Sequence, residues 1–175
     1  VGLPAVPPGT PLPHTGGGGR ICVAQSSDGE SWHKPRLNQD GSNVVLPGET
    51  DVGSVLVIED ADDEDARRRF KMILKVRPYN LHFAFSADGI NWPTRSKPLV
   101  GLEGVDPSGL ARWQGAYILA AHRGRPYGRR KLHTFMSYDF VSWTAASGLW
   151  ARSSESPPGA QDNNAGEQVH LGAAL

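Results

Sequence analysis

The sequence predicts an all-β protein assembled as a β-propeller, and three observations carry that prediction. A marker of the form Ser-x-Asp-(Gly/Phe)-x-x-Trp occurs three times. Its tryptophans, Trp32, Trp92 and Trp143, stand 60 and then 51 residues apart, a period that suits a four-stranded propeller blade better than a leucine-rich or ankyrin unit. Between the markers, short runs rich in Val, Ile, Leu, Phe and Tyr are bounded by Gly, Pro, Asp or Asn. That pattern favours strands, and no stretch combines helical periodicity with convincing caps. About three blades are expected.

Residues 1–20 hold five prolines followed by Gly16 to Gly19, a composition that neither propagates a helix nor pairs as a central strand. They read as a lead-in or linker, with residues 21–175 as the partial propeller domain. Three marker segments align without a gap: Ile21 to Trp32, Leu81 to Trp92 and Leu132 to Trp143. In each, a six-residue strand ends at Ser and Asp caps the turn by accepting backbone N–H bonds. Gly supplies the positive φ such turns often need, and Trp opens the outgoing strand as a plug between sheets. Phe140 replaces the Gly in the third copy, so that turn is expected to differ. Further strands are expected at Val52 to Ile58, Phe70 to Val76, Asp106 to Arg112 and Ala116 to Ala121.

Composition narrows the function classes. Eighteen basic and 18 acidic residues in 175 give zero formal net charge, so no global field draws in nucleic acid or an anionic membrane surface. The basic loop of Arg123, Arg125, Arg129, Arg130 and Lys131 lacks the interleaved aromatics of a single-strand binder. No apolar run approaches the roughly 18 residues that would cross a bilayer. The single Cys22 has no partner for a disulfide or a zinc site, and no obligate protein partner is evident. The start at Val1 suggests a fragment or a processed product, and compartment stays open.

Ser86-Ala87-Asp88-Gly89-Ile90-Asn91-Trp92, followed by Val105-Asp106-Pro107 and Gly115-Ala116-Tyr117-Ile118-Leu119, resembles the blade pattern of the five-bladed propeller glycosidases. These form the superfamily of glycoside hydrolase families 32, 43, 62 and 68, and the resemblance spans about residues 20–175. The sialidase Asp box is a competing likeness, but its Gly stands two positions after Asp, whereas Gly29 and Gly89 follow Asp directly. Five blades would need roughly 270 residues, so the resemblance implies an incomplete ring here. It also implies a carbohydrate ligand, with hydrolysis by paired carboxylates on the innermost strands.

Glycoside hydrolysis needs two carboxyl groups flanking the scissile bond. Asp51, Asp106 and Glu167 stand at the starts of expected innermost strands, 55 and 61 residues apart, close to the blade period. By resemblance Asp106, in Asp106-Pro107, is a supporting carboxylate, Asp51 the base or nucleophile and Glu167 the general acid. Trp113, His122, Arg123 and His170 are candidate sugar contacts, although Trp113 beside Gln114-Gly115 reads as a hairpin tip. The family 32 motifs Asn-Asp-Pro-Asn and Glu-Cys are absent, and the alternative is a non-catalytic propeller that binds carbohydrate or protein. The acidic run from Glu59 to Asp65 resembles a calcium loop in composition only, because Asp65 and Lys71 stand where Gly and Glu are required. It is expected to be a solvated hairpin tip, neutralised by Arg67, Arg68 and Arg69. No His-x-x-x-His spacing and no Gly-x-Ser-x-Gly elbow occurs, so neither a metal, a cofactor nor a Ser nucleophile is expected.

Overall fold

The computed structural model describes residues 19–49, 51–76, 80–99, 102, 104–123, 131–144 and 147–150. Eight strands occur among them: β1 Val52–Glu59, β2 Phe70–Val76, β3 Asn80–Ser86, β4 Thr94–Arg95, β5 Val105–Trp113, β6 Ala116–Arg123, β7 Lys131–Ser137 and β8 Ser147–Trp150. They form two four-stranded antiparallel sheets, β1-β2-β3-β4 and β5-β6-β7-β8, each strand pairing with the next in sequence. The fold is all-β, with one 3₁₀ turn at Ala66–Arg68 as the sole helical element among the described residues.

The registers give the two sheets a common reference. Phe70 lies opposite Ser86 and Tyr117 opposite Ser137, so Phe70 and Tyr117 are counterparts, each facing the serine that closes a marker strand. From that anchor, one face of the first sheet carries Met72, Leu74 and Val76 and the other carries Lys71, Ile73 and Lys75, since side chains alternate along a strand. We term these the leading and trailing faces. In the second sheet the leading face carries Tyr117, Leu119 and Ala121.

The trailing face of the first sheet packs on the leading face of the second. Ile73, Leu81, Phe83 and Phe85 meet Tyr117, Leu119, Ala121 and Phe135 in one buried cluster, with Leu56, Ile58 and Leu110 at its margin. A second cluster covers the leading face of the first sheet, where Ile21 and Val45 of the lead-in pack on Met72, Leu74, Val76 and Trp92. β2 and β3 are thus buried on both faces, which is why their sequences read as near-continuous apolar runs.

The expected strands are present within a residue or two of their predicted limits. The first marker is the exception. Residues 19–49 add no strand to either sheet and make only the isolated bridges Gly19 to Val52, Cys22 to Val44 and Gln25 to His33, while an Arg95–Glu49 ion pair ties the segment to β4. Trp32 is 62% exposed and plugs nothing, unlike Trp92 and Trp143.

The marker turn keeps its Asp and Trp hydrogen bonds in all three copies. Asp28 Oδ1 accepts from the N–H groups of Glu30 and Ser31, both at 2.8 Å. Asp88 Oδ1 accepts from Ile90 and Asn91 at 2.9 and 2.7 Å, and Asp139 Oδ1 from Val141 and Ser142 at 2.7 Å each. Each Trp Nε1–H donates back to the carbonyl of the residue after Asp, at 3.1, 3.1 and 3.3 Å. Phe140 changes the turn in detail, as expected: the N–H groups of Asp28 and Gly29, and of Asp88 and Gly89, donate to the Oγ of the marker serine, and the third copy keeps only the Ser137 hydroxyl bond to Asp139. Phe140 takes φ 62°, beside 78° at Gly29 and 74° at Gly89. A non-glycine residue there costs about 1–2 kcal/mol, offset by burial of its ring, which is fully enclosed and packs on Phe85, Tyr117 and Trp143.

The acidic run is also not a simple solvated tip. Asp60 is buried and joins the two sheets: Arg112 Nη1 donates to its Oδ1 at 2.6 Å, and the Tyr117 hydroxyl donates to its Oδ2. Lys71, wholly buried, lies 3.3 Å from Asp60 Oδ2 and 2.7 Å from Asp63 Oδ2, and donates to the Arg68 carbonyl at 2.6 Å. Burial opposes ionisation of Asp60, yet the Tyr117 and Lys71 donors outweigh it and hold its carboxyl below the ordinary range. Burial, and then the bond to Asp60, raise the Tyr117 phenol above its usual value. The expected local neutralisation is present at the rim, as Arg67–Asp65 and Arg69–Glu59 pairs.

Candidate functional site

A second polar cluster lies at the opposite end of the same sheet interface, where β1 and β5 begin. Both strands carry an irregularity there, between Val52 and Ser54 in β1 and between Pro107 and Gly109 in β5. Such bulges re-aim side chains at the edge of a sheet. Pro107 has no N–H for the ladder, and the bulge beside it, on the first strand of its sheet, is where a proline is tolerated. Ser108, the extra residue, turns its hydroxyl to the Ala120 carbonyl at 3.1 Å.

Asp106 is the second residue of β5. Its Oδ1 accepts from Lys75 Nζ, a bond that crosses from the first sheet to the second. Its Oδ2 stands 3.4 Å from Nε2 of His122, which lies directly opposite in the ladder. The three differ in access: the Asp106 side chain is 40% exposed, while those of Lys75 and His122 are 9% and 14% exposed. A carboxylate held by two basic groups from behind and open to solvent in front is arranged to accept hydrogen bonds from a ligand. Ser54 lies opposite Lys75, and its hydroxyl is buried with no hydrogen-bond partner among the described residues.

The registers correct one expectation. Lys75 and His122 are counterparts, each five residues after the anchor pair Phe70 and Tyr117. Their ladder partners, Ser54 and Asp106, are therefore counterparts too. Asp51 precedes β1 and corresponds to Gly104, so Asp51 and Asp106 do not occupy matching positions.

The remaining expected residues are distributed as follows. His122 stands against Asp106 as described. Arg123 ends β6 at the same end of the sheet, opposite Val105 and Lys131. Trp113 stands at the other end of β5, beside the two-residue turn of Gln114 and Gly115, which both take positive φ. Seven residues at about 3.3 Å each separate it from Asp106, and the structure does not bring the two together. Glu167 and His170 lie outside the described residues.

Sequence reasoning missed Lys75 and Ser54. The available signal was a pair of lysines, Lys71 and Lys75, set on one face of the otherwise apolar run FKMILKV. A buried lysine needs a carboxylate partner, and each of these has one. An open groove of about 540 Å³, lined by Phe83, Ser96, Lys97, Leu99, Ser142 and Trp143 among others, shares no residue with the Asp106 cluster. Among the described residues no group of three or more His, Cys, Asp or Glu could hold a metal ion, and no helix is long and apolar enough to cross a membrane.

Comparison of the chain with family models, with curated proteins and with solved structures found no match.

Proposed function

We propose that these sheets are blades of a β-propeller of the glycoside-hydrolase kind, and that Asp106 belongs to a carbohydrate site at the end where β1 and β5 begin. The packing direction supports the propeller reading. Two equivalent sheets stack trailing face on leading face, a head-to-tail arrangement that a radial array repeats. The observation that carries the site is Asp106 itself, a half-open carboxylate at the start of the first strand of its sheet, backed by Lys75 and His122.

The role that fits this setting is that of a supporting carboxylate. Lys75 occupies Oδ1, and Oδ2, with His122 Nε2 at 3.4 Å behind it, keeps a further lone pair for a sugar hydroxyl. Cleavage of a glycosidic bond would need a second carboxyl group acting as acid and a third group acting as base or nucleophile, and Asp51 and Glu167 are the residues we assign to those tasks. The second reading, a propeller that binds carbohydrate or protein without cleaving it, is favoured by the register mismatch between Asp51 and Asp106.

Calorimetric titration with a panel of soluble plant and microbial oligosaccharides, paired with a reducing-sugar assay, tests both readings. Binding that Asp106→Asn weakens by about tenfold or more, the loss of a charged hydrogen bond, supports the site. Release of reducing ends that Asp51→Asn or Glu167→Gln abolishes at unchanged melting temperature selects the hydrolase. A panel with no binding member rejects the carbohydrate reading.

A further inference from the structure

The open groove of about 540 Å³ has two walls, one from each sheet, and each is tied down by its own hydrogen bonds. The first wall is the chain that follows β4, Ser96 to Leu99, laid along the edge of β3. The Ser96 N–H donates to the Phe83 carbonyl at 2.9 Å and the Leu99 N–H to the Leu81 carbonyl at 2.8 Å, while the Phe83 N–H donates to Ser96 Oγ at 2.9 Å. The second wall is the third marker turn, Val141 to Trp143. Asp139 Oδ1 holds the N–H groups of Val141 and Ser142, the Trp143 indole N–H donates to the Phe140 carbonyl, and the Thr144 N–H donates to the Met136 carbonyl. A groove with walls fixed in this way is formed before anything enters it, and its volume lies within the range of small-molecule sites.

The lining combines an apolar base with free donors. Phe83 belongs to the buried cluster between the sheets, and Leu99 and Trp143 pack against it. Val141, 41% exposed, carries apolar surface out to the rim. Lys97 is exposed at the same rim and has no carboxylate partner among the described residues, whereas Arg95, two residues earlier, is paired with Glu49. Ser96 Oγ already accepts from Phe83, so its hydrogen is left to donate. None of the described residues that line the groove is acidic. An entering group therefore meets carbon at the base and a cation at the edge.

We propose that this groove binds a small amphipathic anion, a planar apolar acid whose ring lies against Trp143 and Leu99 and whose carboxylate reaches Lys97 and the Ser96 hydroxyl. A flat ring suits the face of an indole, and a carboxylate makes a stronger hydrogen bond to an ammonium group than a neutral hydroxyl does. The inference rests on the groove alone and is independent of carbohydrate binding at Asp106.

Titration calorimetry of the full chain near neutral pH, with naphthoate and with naphthamide as its neutral counterpart, tests this. Naphthoate should bind about three- to tenfold more tightly than naphthamide at low ionic strength, and added salt should erode that margin. Lys97→Gln should weaken naphthoate by about the same three- to tenfold and leave naphthamide unchanged, a split that a general loss of packing does not give. Val141→Glu sets a like charge beside the carboxylate and should also weaken naphthoate. Both positions are exposed, thermal melts verify folding, and Lys97→Met replaces Lys97→Gln should that variant not fold. The proposal is overturned if naphthoate shows no saturable binding up to millimolar concentration or if naphthamide binds as tightly. It is equally overturned if either folded variant leaves the naphthoate affinity unchanged, which would put the anion elsewhere. A neutral oligosaccharide that displaces naphthoate, and binds Lys97→Gln as well as the native chain, overturns it in favour of a sugar groove.

Discussion

The two ends of the sheet interface use the same chemistry to opposite purpose. At one end Asp60 is enclosed and its oxygens are taken by Arg112, Tyr117 and Lys71. At the other, Asp106 meets Lys75 and His122 and keeps 40% of its side chain in solvent. Both are carboxylates paired with a lysine of β2, four residues apart on one face. Access to water separates them. A fully satisfied buried charge network fixes how two sheets dock, whereas a carboxylate held from one side has capacity left for a ligand.

Removal of the enclosed carboxylate should produce the largest effect. Asp60→Ala leaves Lys71 wholly buried with Asp63 as its remaining carboxylate, strips Arg112 of its better contact and leaves the Tyr117 hydroxyl without an acceptor. Breaking a buried network of this kind costs about 3–5 kcal/mol, read as a lower urea midpoint. Asp60→Asn, which keeps one acceptor for Tyr117, should lose less. A loss near zero for Asp60→Ala would mean that apolar contacts alone set the docking of the sheets.

The third marker turn offers the next test, because local and tertiary preferences conflict there. Phe140→Gly restores the residue found in the other two copies and relieves about 1–2 kcal/mol of left-handed strain. It also deletes a fully buried ring, which costs about 3–5 kcal/mol. The ring wins, so the variant should be less stable by about 1–4 kcal/mol in chemical denaturation, although it matches the repeat better.

That conflict marks what the sequence could and could not disclose. The runs Phe70–Val76 and Ala116 to Ala121 were legible because enclosure demands apolar residues at nearly every position. The marker was legible as a turn, since Asp, Ser and Trp bond within six residues of one another. It did not report what the turn joins: Asp28 and Asp88 share one geometry, yet only the latter follows a sheet strand. Pairing depends on a partner distant in sequence. Site positions counted along the chain failed for a related reason. The β1–β2 connection runs from Asp60 to Arg69, while β5 and β6 are joined by two residues, and the bulges fall at Gly53 in one strand and Ser108 in the other. Equal sequence intervals therefore do not land on equal ladder positions, and Asp51 does not match Asp106.

Acid should expose the marker turns. The backbone donors Asn91 and Ile90, with the Asn91 side chain, hold Asp88 well below the ordinary carboxylate range. At Asp139 burial opposes ionisation, but the N–H groups of Ser142 and Val141 prevail and the shift is also downward. A carboxyl whose folded pKa is depressed stabilises the fold at pH values above its unfolded pKa, and that contribution is lost as pH falls through the folded one. Asp139→Asn should therefore be less stable than the native protein by about 1–2 kcal/mol near neutrality. The gap should narrow as pH falls below about 4, as followed by melting temperature in parallel buffers. A gap independent of pH would assign the loss to shape and not to charge.

The smallest effect on stability is expected where the largest effect on binding is proposed. Asp106→Asn keeps an amide oxygen for the buried Lys75 at a position that is 40% exposed, where water can stand in for the lost charge, and the loss should be about 1 kcal/mol. Measured beside Asp60→Ala under one denaturant series, the two variants calibrate the comparison between the ends of the interface. If Asp106→Asn costs as much as Asp60→Ala, Lys75 is as dependent on its partner as Lys71. The open cluster would then be a second structural staple, its exposure being no sign of a ligand. If it costs little while oligosaccharide binding falls, then the half-open geometry is retained for what Oδ2 accepts and not for the stability it confers.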